Sequence, residues 1–526
     1  MGENENAIIT PINVDRLAWW LSGYEKSAKQ YLLDGFTKGF KVGYSGNPTS
    51  KFFSNHKSAE TNPQIIDDYL SSEMSTGRIF GPVGKLPEKF HCAPLGLVPK
   101  KSKGEFRVIH DLSYPPGQSV NEYIPQECTN VEYQNVYDAI LMLSEIGQGA
   151  FMAKTDIEKA FRLIPIHPDD QNLFYIHWRN QWYIDRAMQM GCSSSCQIFQ
   201  NFSNAISWIA RSKLSIPIVS YLDDFMLGSA SKETGQGNLE KFLGMCSEIG
   251  LPMSAKKTFQ PEQVMTFLGF EIDTCKREIR LPDDKIQKCR EEIDQLVGRK
   301  KTRLRYLQSV IGLLNFACQV ILPGRAFLRR LIDVTRGIQL PHFWVALKDA
   351  SKDLEMWKEF LYHHNGKVFF VDAKIITNHE VNLYTDASGA KGYGAWFGVR
   401  WFFGVWSEWW CEQHIMLLEL YPIVIAIELW GAQLSNKRLL LYTDNLSLVA
   451  VLNKQTSRDP LVMILVRRLV LACLKFNLVL CTQHIPTKKN KFADLLSRLQ
   501  FQEFRRLHPA ANPDPDQIPP LPASLI

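Results

Sequence analysis

The chain has 526 residues, of which 45% are hydrophobic, and a formal net charge of +6. At about 100–200 residues per domain that length provides for two to four domains with more than one core, and excludes a small single-domain protein. The mild charge excludes a uniformly basic chain, yet "RKKTRLR" (299–305) packs five cations into seven residues, a local stripe suited to a polyanion.

Eleven cysteines occur without a C-x-x-C pair or a Cys/His cluster at zinc-ligand spacing, and Cys192 and Cys196 are the closest two. Reduced thiols in an intracellular protein, cytoplasmic or nuclear, are expected. The start "MGENENAIIT" has no basic n-region and no apolar core, so no signal peptide is expected. Asn6 weakens the Met-Gly start as a myristoylation signal. The longest apolar run, around 415–430, is interrupted by Glu419, Pro422 and Glu428, and no membrane partner is expected.

In chain order, residues 1–60 form an N-terminal extension that opens on the amphipathic "LAWWLSGYEKSAKQYLLDGF" and passes into the Gly-rich "GFKVGYSGNPTS". Across 61–290, short apolar strands alternate with helical patterns, which predicts an α+β domain. Within the domain expected over 291–378, residues 302–335 are mainly helical: Leu304, Leu307, Ile311 and Leu314 recur at three-to-four spacing, and "ALKDASKDLEMWKEFLYHH" leads to a linker near 365–378. Over 379–500, strand signals precede a long helix, another strand and two more helices. The tail 501–526, with "HPAANPDPDQIPPLPASLI", is rich in proline and predicted to be disordered.

Two carboxylate sets stand out. In "IVSYLDDFMLG" (218–228) two apolar runs flank Asp223 and Asp224, which predicts a hairpin with the acidic pair at its turn. A solvated Asp-Asp turn accounts equally well for that stretch alone. A second strand, in "FMAKTDIEKAFRLIPIHPDD" (151–170), enters Asp156. Carboxylates from separate elements are what two-metal phosphoryl transfer requires, with cations about 3.5–4 Å apart, and Mg²⁺ favours such hard oxygen ligands. The other set lies downstream, where "LYTDAS" (383–388) and "LYTDNL" (441–446) each end an apolar strand in Thr-Asp. Glu419 sits among apolar residues, where a carboxylate needs a cation, a metal or a strong hydrogen bond. Pro422 beside it requires a helix that begins nearby or kinks. Asp494 follows Asn490, a plausible helix cap.

On these residues the chain resembles reverse transcriptases. "SYLDDFML" is similar to their Y-x-D-D box, "TDIEKAFRLIPI" to their first aspartate motif, and "FLGFEID" (267–273) to the block that grips the primer. "VPKKSKGEFRVIHDLSYPPGQSVNEY" (98–123) resembles the fingers segment, and the blocks keep the family's order over residues 90–275. The resemblance implies that Asp156, Asp223 and Asp224 are metal ligands. It also implies that Lys100 or Lys101, with Arg107, contacts the triphosphate, with Asp111 in the same block. Phe161 falls where the family keeps an aromatic against a ribose 2′-hydroxyl, and an ordinary core role is compatible with that position. "MQMGCSSSCQIFQ" (188–200) resembles the nucleotide-pocket block, but departs at Met190, before Gly191, and at Cys196, where proline is usual.

The 380–499 segment resembles the ribonuclease H domain attached to reverse transcriptases, through "YTDAS", "LLEL", "YTDN" and "FADLLSRL". The resemblance implies that Asp386, Glu419, Asp444 and Asp494 hold two Mg²⁺ ions and cut the RNA strand of an RNA–DNA hybrid. His484 either supports the fold or lies near the site, and Thr487 stands where relatives often have glycine. Residues 299–330 fit a thumb on duplex backbone, with a solvated helix face as the plain alternative. "WFFGVWSEWW" (401–410) reads as a strand pair rather than a base-stacking platform.

The implied fold is α+β multidomain: a right-hand polymerase of fingers, palm and thumb, followed by an α/β ribonuclease H-like domain. The implied activity is RNA-directed DNA polymerisation with hybrid cleavage, using Mg²⁺ (or Mn²⁺), two ions per site. RNA template, DNA primer, RNA–DNA hybrid and deoxynucleoside triphosphates are the implied partners, with no oligomeric state indicated. "DGFTKGFKVGYSGN" and "FLGFEIDT" look most like DIRS-like retrotransposons, which use a tyrosine recombinase, with gypsy-type LTR elements next. A domesticated, catalytically silent nucleic-acid-binding scaffold is the alternative, though all seven carboxylates are retained.

Overall fold

The computed structural model describes residues 7–47, 49–100, 104–338, 340, 342–363, 367–369, 375–435, 437–443, 445–485 and 490–525. The chain forms two compact units, Met1–Gln263 and Val264–Ile526. The domain end expected at 290 therefore falls inside the second unit. Lys101, Asp444 and Thr487 lie outside the described residues.

In the first unit, four antiparallel strands lie in the order β4-β1-β3-β2: β1 (Phe151–Asp156), β2 (Ile218–Tyr221), β3 (Asp224–Ser229) and β4 (Phe259–Glu262). Helix α1 (Ser195–Leu214) presents Ile198, Phe199, Phe202, Ala205, Ile206 and Ile209 at helical spacing, so one apolar stripe is buried. Helix α2 (Lys232–Glu248), capped by Ser231, buries Leu239, Phe242 and Met245 in the same core. The expected N-terminal extension is part of that core, because Ile12, Leu17, Leu21, Leu32, Phe36 and Phe40 are buried in it. Each such side chain contributes about 1.5–3 kcal/mol, so this segment belongs to the domain. Gly39 fixes its far end: φ is 88°, and a Cβ would lie 2.5 Å from the backbone of His167. A five-stranded sheet in the order Lys51–Phe52, His91–Cys92, Tyr175–Trp178, Gln181–Asp185, Ile79–Phe80 and a separate hairpin of Leu95–Pro99 with Phe106–His110 complete the unit.

The second unit opens on the hairpin Val264–Phe267/Phe270–Asp273, whose two turn residues, Leu268 and Gly269, both have positive φ. That turn twists with the strands it joins. The cationic stripe is not a helix face at its centre. Lys301–Arg303 is a strand paired with Trp344–Ala346, and Lys301 and Arg303 lie 5.3 and 5.8 Å from the Trp344 ring centroid. The following helix, Leu304–Ala317, buries Leu304, Leu307, Val310 and Leu314, so Val310 takes the place expected of Ile311.

Further on, β5 (Leu383–Ala387), β6 (Gly392–Phe397) and β7 (Arg400–Val405) form an antiparallel sheet, and most of "WFFGVW" is strand as expected. Helix α3 (Ile415–Trp430) runs unbroken through Pro422, which removes one ladder bond rather than ending the helix. By length and composition Ile415–Leu434 could cross a membrane, which corrects the expectation that its charges and proline interrupt it; 67% of that run is buried inside the structure. β8 (Arg438–Thr443) pairs in parallel with β9 (Val479–His484), and α4 (Pro460–Lys475) packs on α3.

The tail is ordered, contrary to expectation. Phe501–Leu507 is a helix with Phe504 buried. Asp516 accepts from Arg400 Nε and Trp430 Nε1, both at 2.7 Å, and Trp410 Nε1 donates to the Pro522 carbonyl at 2.8 Å. Buried indole N–H groups need acceptors, and the proline-rich segment supplies them. All eleven cysteines are free thiols.

Candidate active sites

Asp224, the first residue of β3, stands opposite Asp156, the last residue of β1, in the antiparallel register. Because Asp224 also pairs with Tyr221, the turn consists of Leu222 and Asp223. The hairpin tip is therefore one residue earlier than the sequence suggested. Leu222 has φ 51°, a conformation that costs a branched side chain free energy. Helix α1 holds it there: Leu222 N donates to Gln200 Oε1 at 3.1 Å, and Ser203 Oγ donates to the Leu222 carbonyl at 2.7 Å. The Asp223 carbonyl accepts from Ile157 N at 3.0 Å, tying the turn to the strand end that carries Asp156.

Two lysines answer the clustered charge. Lys257 Nζ donates to both Asp156 oxygens at 2.9 and 2.8 Å, and Lys154 Nζ lies 3.3 Å from Asp224 Oδ1. Burial raises the Asp156 pKa against the pull of Lys257, with the Asp224 charge adding to the rise. Asp223 is raised by burial and then by the Asp156 charge. Among the described residues no three His, Cys, Asp or Glu side chains stand at metal-ligand spacing. The donor chemistry nonetheless suits a hard divalent cation: three carboxylates from two strands and a turn, with Asp156 and Asp223 harder to ionise than usual because they are buried beside one another.

Around this cluster, Phe161 is 7% exposed and its ring centroid lies 5.3 Å from that of Phe199. Met190 is 57% exposed, and Arg107 Nη1 donates to its sulfur at 3.5 Å. The Gly191 carbonyl accepts from Asn121 Nδ2 at 2.8 Å, while Asn121 Oδ1 accepts from Ser193 N at 2.9 Å. Arg107, Met190, Gly191 and Asn121 are thus joined by contacts. Lys100 lies at the hairpin end and pairs with Glu105 at 3.4 Å. Asp111 contacts His56 Nε2 at 2.8 Å and accepts from Ser113 N at 3.2 Å, so it serves a local turn.

In the second unit, Asp386 on β5, Glu419 on α3 and Thr443 at the end of β8 line one cleft, with Thr385, Ile423, Ile485 and Asn490. Asp386 Oδ2 accepts from Ser497 Oγ at 2.6 Å. Asn490 occupies the cap position of Lys491–Ser497, but its side chain donates to the Thr385 carbonyl at 2.8 Å instead of capping. Asp494 is not among the lining residues and accepts from Arg498 Nε at 2.7 Å. His484 pairs in register with Thr443, at the rim of this cleft.

Residues 98–272 match the family described as reverse transcriptase (RNA-dependent DNA polymerase). This segment is a reverse transcriptase domain of the retroviral and retroelement kind. The domain contains Asp156, Asp223, Asp224 and the whole Phe161–Met190–Arg107 neighbourhood, and its last residues extend into the second unit. Over 224 residues the chain is 25% identical to the Gag-Pol polyprotein of Walleye dermal sarcoma virus, covering 42% of this chain and 12% of that protein. It is 28% identical over 225 residues to the Pro-Pol polyprotein of Simian foamy virus type 1, covering 43% and 17%. It is 23% identical over 373 residues to the putative enzymatic polyprotein of Cassava vein mosaic virus, covering 69% and 55%. The chain thus spans little more than half of the last relative and far less of the others. Among solved structures, the foamy viral protease-reverse transcriptase aligns with a TM-score of 0.51 at 16% identity, over 92% of this chain and 84% of that one; that structure holds double-stranded DNA. A second foamy viral structure, in complex with RNA/DNA hybrid, aligns with the same score at 15% identity over 92% and 65%. The likeness is one of polymerase fold.

One buried network in the reverse transcriptase domain escaped the sequence reading. Arg162, next to Phe161, donates from Nε to Glu73 at 2.9 Å and from Nη1 to both Asp185 oxygens at 2.9 and 3.0 Å. Arg78 adds two bonds to Glu73 at 2.7 and 2.8 Å, and Gln189 Nε2 donates to Asp185. The network therefore joins the residue after Phe161 to the residue before Met190. Its members are 89 and 23 positions from Arg162, without any local signature.

Proposed function

We propose that the chain is an RNA-directed DNA polymerase that extends a DNA primer on an RNA template with deoxynucleoside triphosphates, and that its second unit is a ribonuclease H-like domain that cuts the RNA of the resulting hybrid. The Asp156–Asp224 register, with Asp223 in the adjoining turn, carries the first half of this reading. Asp156, Asp223 and Asp224 would hold divalent cations, Mg²⁺ or Mn²⁺, which supply activation of the primer 3′-hydroxyl and neutralise the departing pyrophosphate. The protein's own part is to fix the carboxylates: Gln200 and Ser203 set the turn, while Lys257 pairs with Asp156 and Lys154 with Asp224. By the family resemblance Phe161 would bound the sugar side of the nucleotide, and Arg107, with Lys100 or Lys101, would meet its phosphates.

The shared cleft of Asp386 and Glu419 supports the second half, with Asp444 directly after Thr443. Asp494 would join that set only after leaving Arg498. The likeness of the quoted motifs supports a retrotransposon source, DIRS-like before gypsy-type, and an intracellular setting. Primer extension on RNA with labelled deoxynucleotides and Mg²⁺, with a chelator control, tests the reading. Extension that needs the metal supports it, and a folded protein that binds primer–template without extending it supports the silent scaffold.

A further inference from the structure

Helix α4 carries Ile464, Arg467, Arg468, Leu471 and Lys475 at intervals of three and four, so they share one face. That face walls an open cleft of about 700 Å³, closed by Phe327 and Arg330 on one side and Phe476 on another. The cleft also reaches Glu428, nine residues along α3 from Glu419 and so about 14 Å from it along the helix axis. It is distinct from the carboxylate cleft.

Its charges are unevenly matched. Arg468 is satisfied, with Nε and Nη2 donating to Glu428 at 2.6 and 2.7 Å. Arg330 and Arg467 share a single buried carboxylate, Asp353, at 3.2 and 3.5 Å. Arg467 Nε is buried with no hydrogen-bond partner among the described residues. Lys475 is exposed, has no carboxylate partner among the described residues, and lies 5.4 Å from the Phe476 ring centroid. Arg467 is similarly close to the Phe327 ring, at 5.6 Å. Burial holds the Arg467 pKa down against the pull of Asp353, and the neighbouring Arg330 charge adds to the fall. An anion entering here would relieve that crowding.

Surplus cations interleaved with two aromatic rings and the apolar Ile464 and Leu471 call for a ligand that alternates negative charge with flat apolar surface. A duplex offers phosphates but keeps its bases stacked inside, and an acidic peptide offers charge without the flat faces. We infer that this cleft binds single-stranded nucleic acid, a base against Phe476 and phosphates against Arg330, Arg467 and Lys475, with the buried Phe327 backing Arg467. The inference rests on the cleft's own chemistry and is independent of polymerisation.

The test is photo-cross-linking of the full chain to a short RNA oligonucleotide bearing 5-iodouridine, with the attached peptides mapped by mass spectrometry. Cross-links are expected within 464–476, weakening as salt rises. Lys475→Glu, an exposed change, should cut their yield about tenfold and leave extension of a short primer–template unchanged. Cross-links confined to other segments, or a yield indifferent to Lys475→Glu, would overturn the assignment. So would a dimer, seen by light scattering, that Lys475→Glu dissolves while no RNA attaches to α4; the occupant would then be a second copy of the chain.

Discussion

Asp224 faces Asp156 across the β1–β3 pair, and Lys257 bridges both oxygens of Asp156. Lys257 and Lys154 answer two of the three carboxylates, so the cluster remains a site for further positive charge. Asp223→Asn should reduce primer extension by on the order of 10²–10³-fold while cleavage of the RNA in a labelled hybrid persists. Asp386→Asn should do the converse. Loss of both activities from either folded variant would contradict two independent sites.

The positive φ of Leu222 is sustained by Gln200 and Ser203, which gives a coupling experiment. Gln200→Ala leaves the Leu222 amide without its acceptor, at a cost of about 1–3 kcal/mol, and should slow extension. Leu222→Gly adopts that φ without strain. The double variant should therefore recover part of the lost rate, with a coupling energy of about 0.5–3 kcal/mol. Strictly additive losses would show that the clamp does not set the turn.

Phe161 packs on Phe199 and follows Asp156 by five residues in the chain. Phe161→Val shortens the ring while keeping an apolar side chain. The ratio of ribonucleotide to deoxynucleotide incorporation, measured as kcat/KM, should rise roughly 10–200-fold. An unchanged ratio with a lowered melting temperature would leave Phe161 a core residue only.

Arg162 should be a stability determinant. Arg162→Met leaves the buried Asp185 without its cation and Glu73 held mainly by Arg78, costing about 3–5 kcal/mol. Adding Glu73→Gln and Asp185→Asn should return much of that loss, as read by urea unfolding. Independent, additive losses would mean the three do not act as one network.

Acid sensitivity follows from His110, whose pKa burial pushes down to about 4. The unfolded chain, near 6.5, binds the proton that the folded chain refuses. Stability from this group is complete above pH 6.5 and is lost as pH falls toward 4. By linkage, His110 should contribute about 2 kcal/mol of the difference between pH 7 and pH 5. His110→Gln should flatten the slope by that amount, and an unchanged slope would place the sensitivity elsewhere.

The carboxylate hairpin was legible because its apolar arms and acidic pair are contiguous. Its tip was misplaced by one residue because polar side chains signal turns, whereas here Leu222 is forced into one by α1. The Arg162 network was invisible, since its partners come from distant segments and carry no motif. The tail was misread because proline content signals disorder, while the indoles of Trp410 and Trp430 that bind it lie far back in the chain. Asp494 was rightly placed on a helix start, and Arg498, which engages it four residues on, stood at the i,i+4 spacing of a local helix pair that the motif reading passed over.

The straps from Asp516 and Pro522 to Arg400, Trp410 and Trp430 also set an order of events during synthesis. The first unit closes its contacts by Gln263 and can fold while the ribosome is still translating the rest. In the second, Trp410 and Trp430 gain their indole acceptors only once Pro522 and Asp516 have been made. Until then those two indole N–H groups lack the acceptors they have in the folded unit.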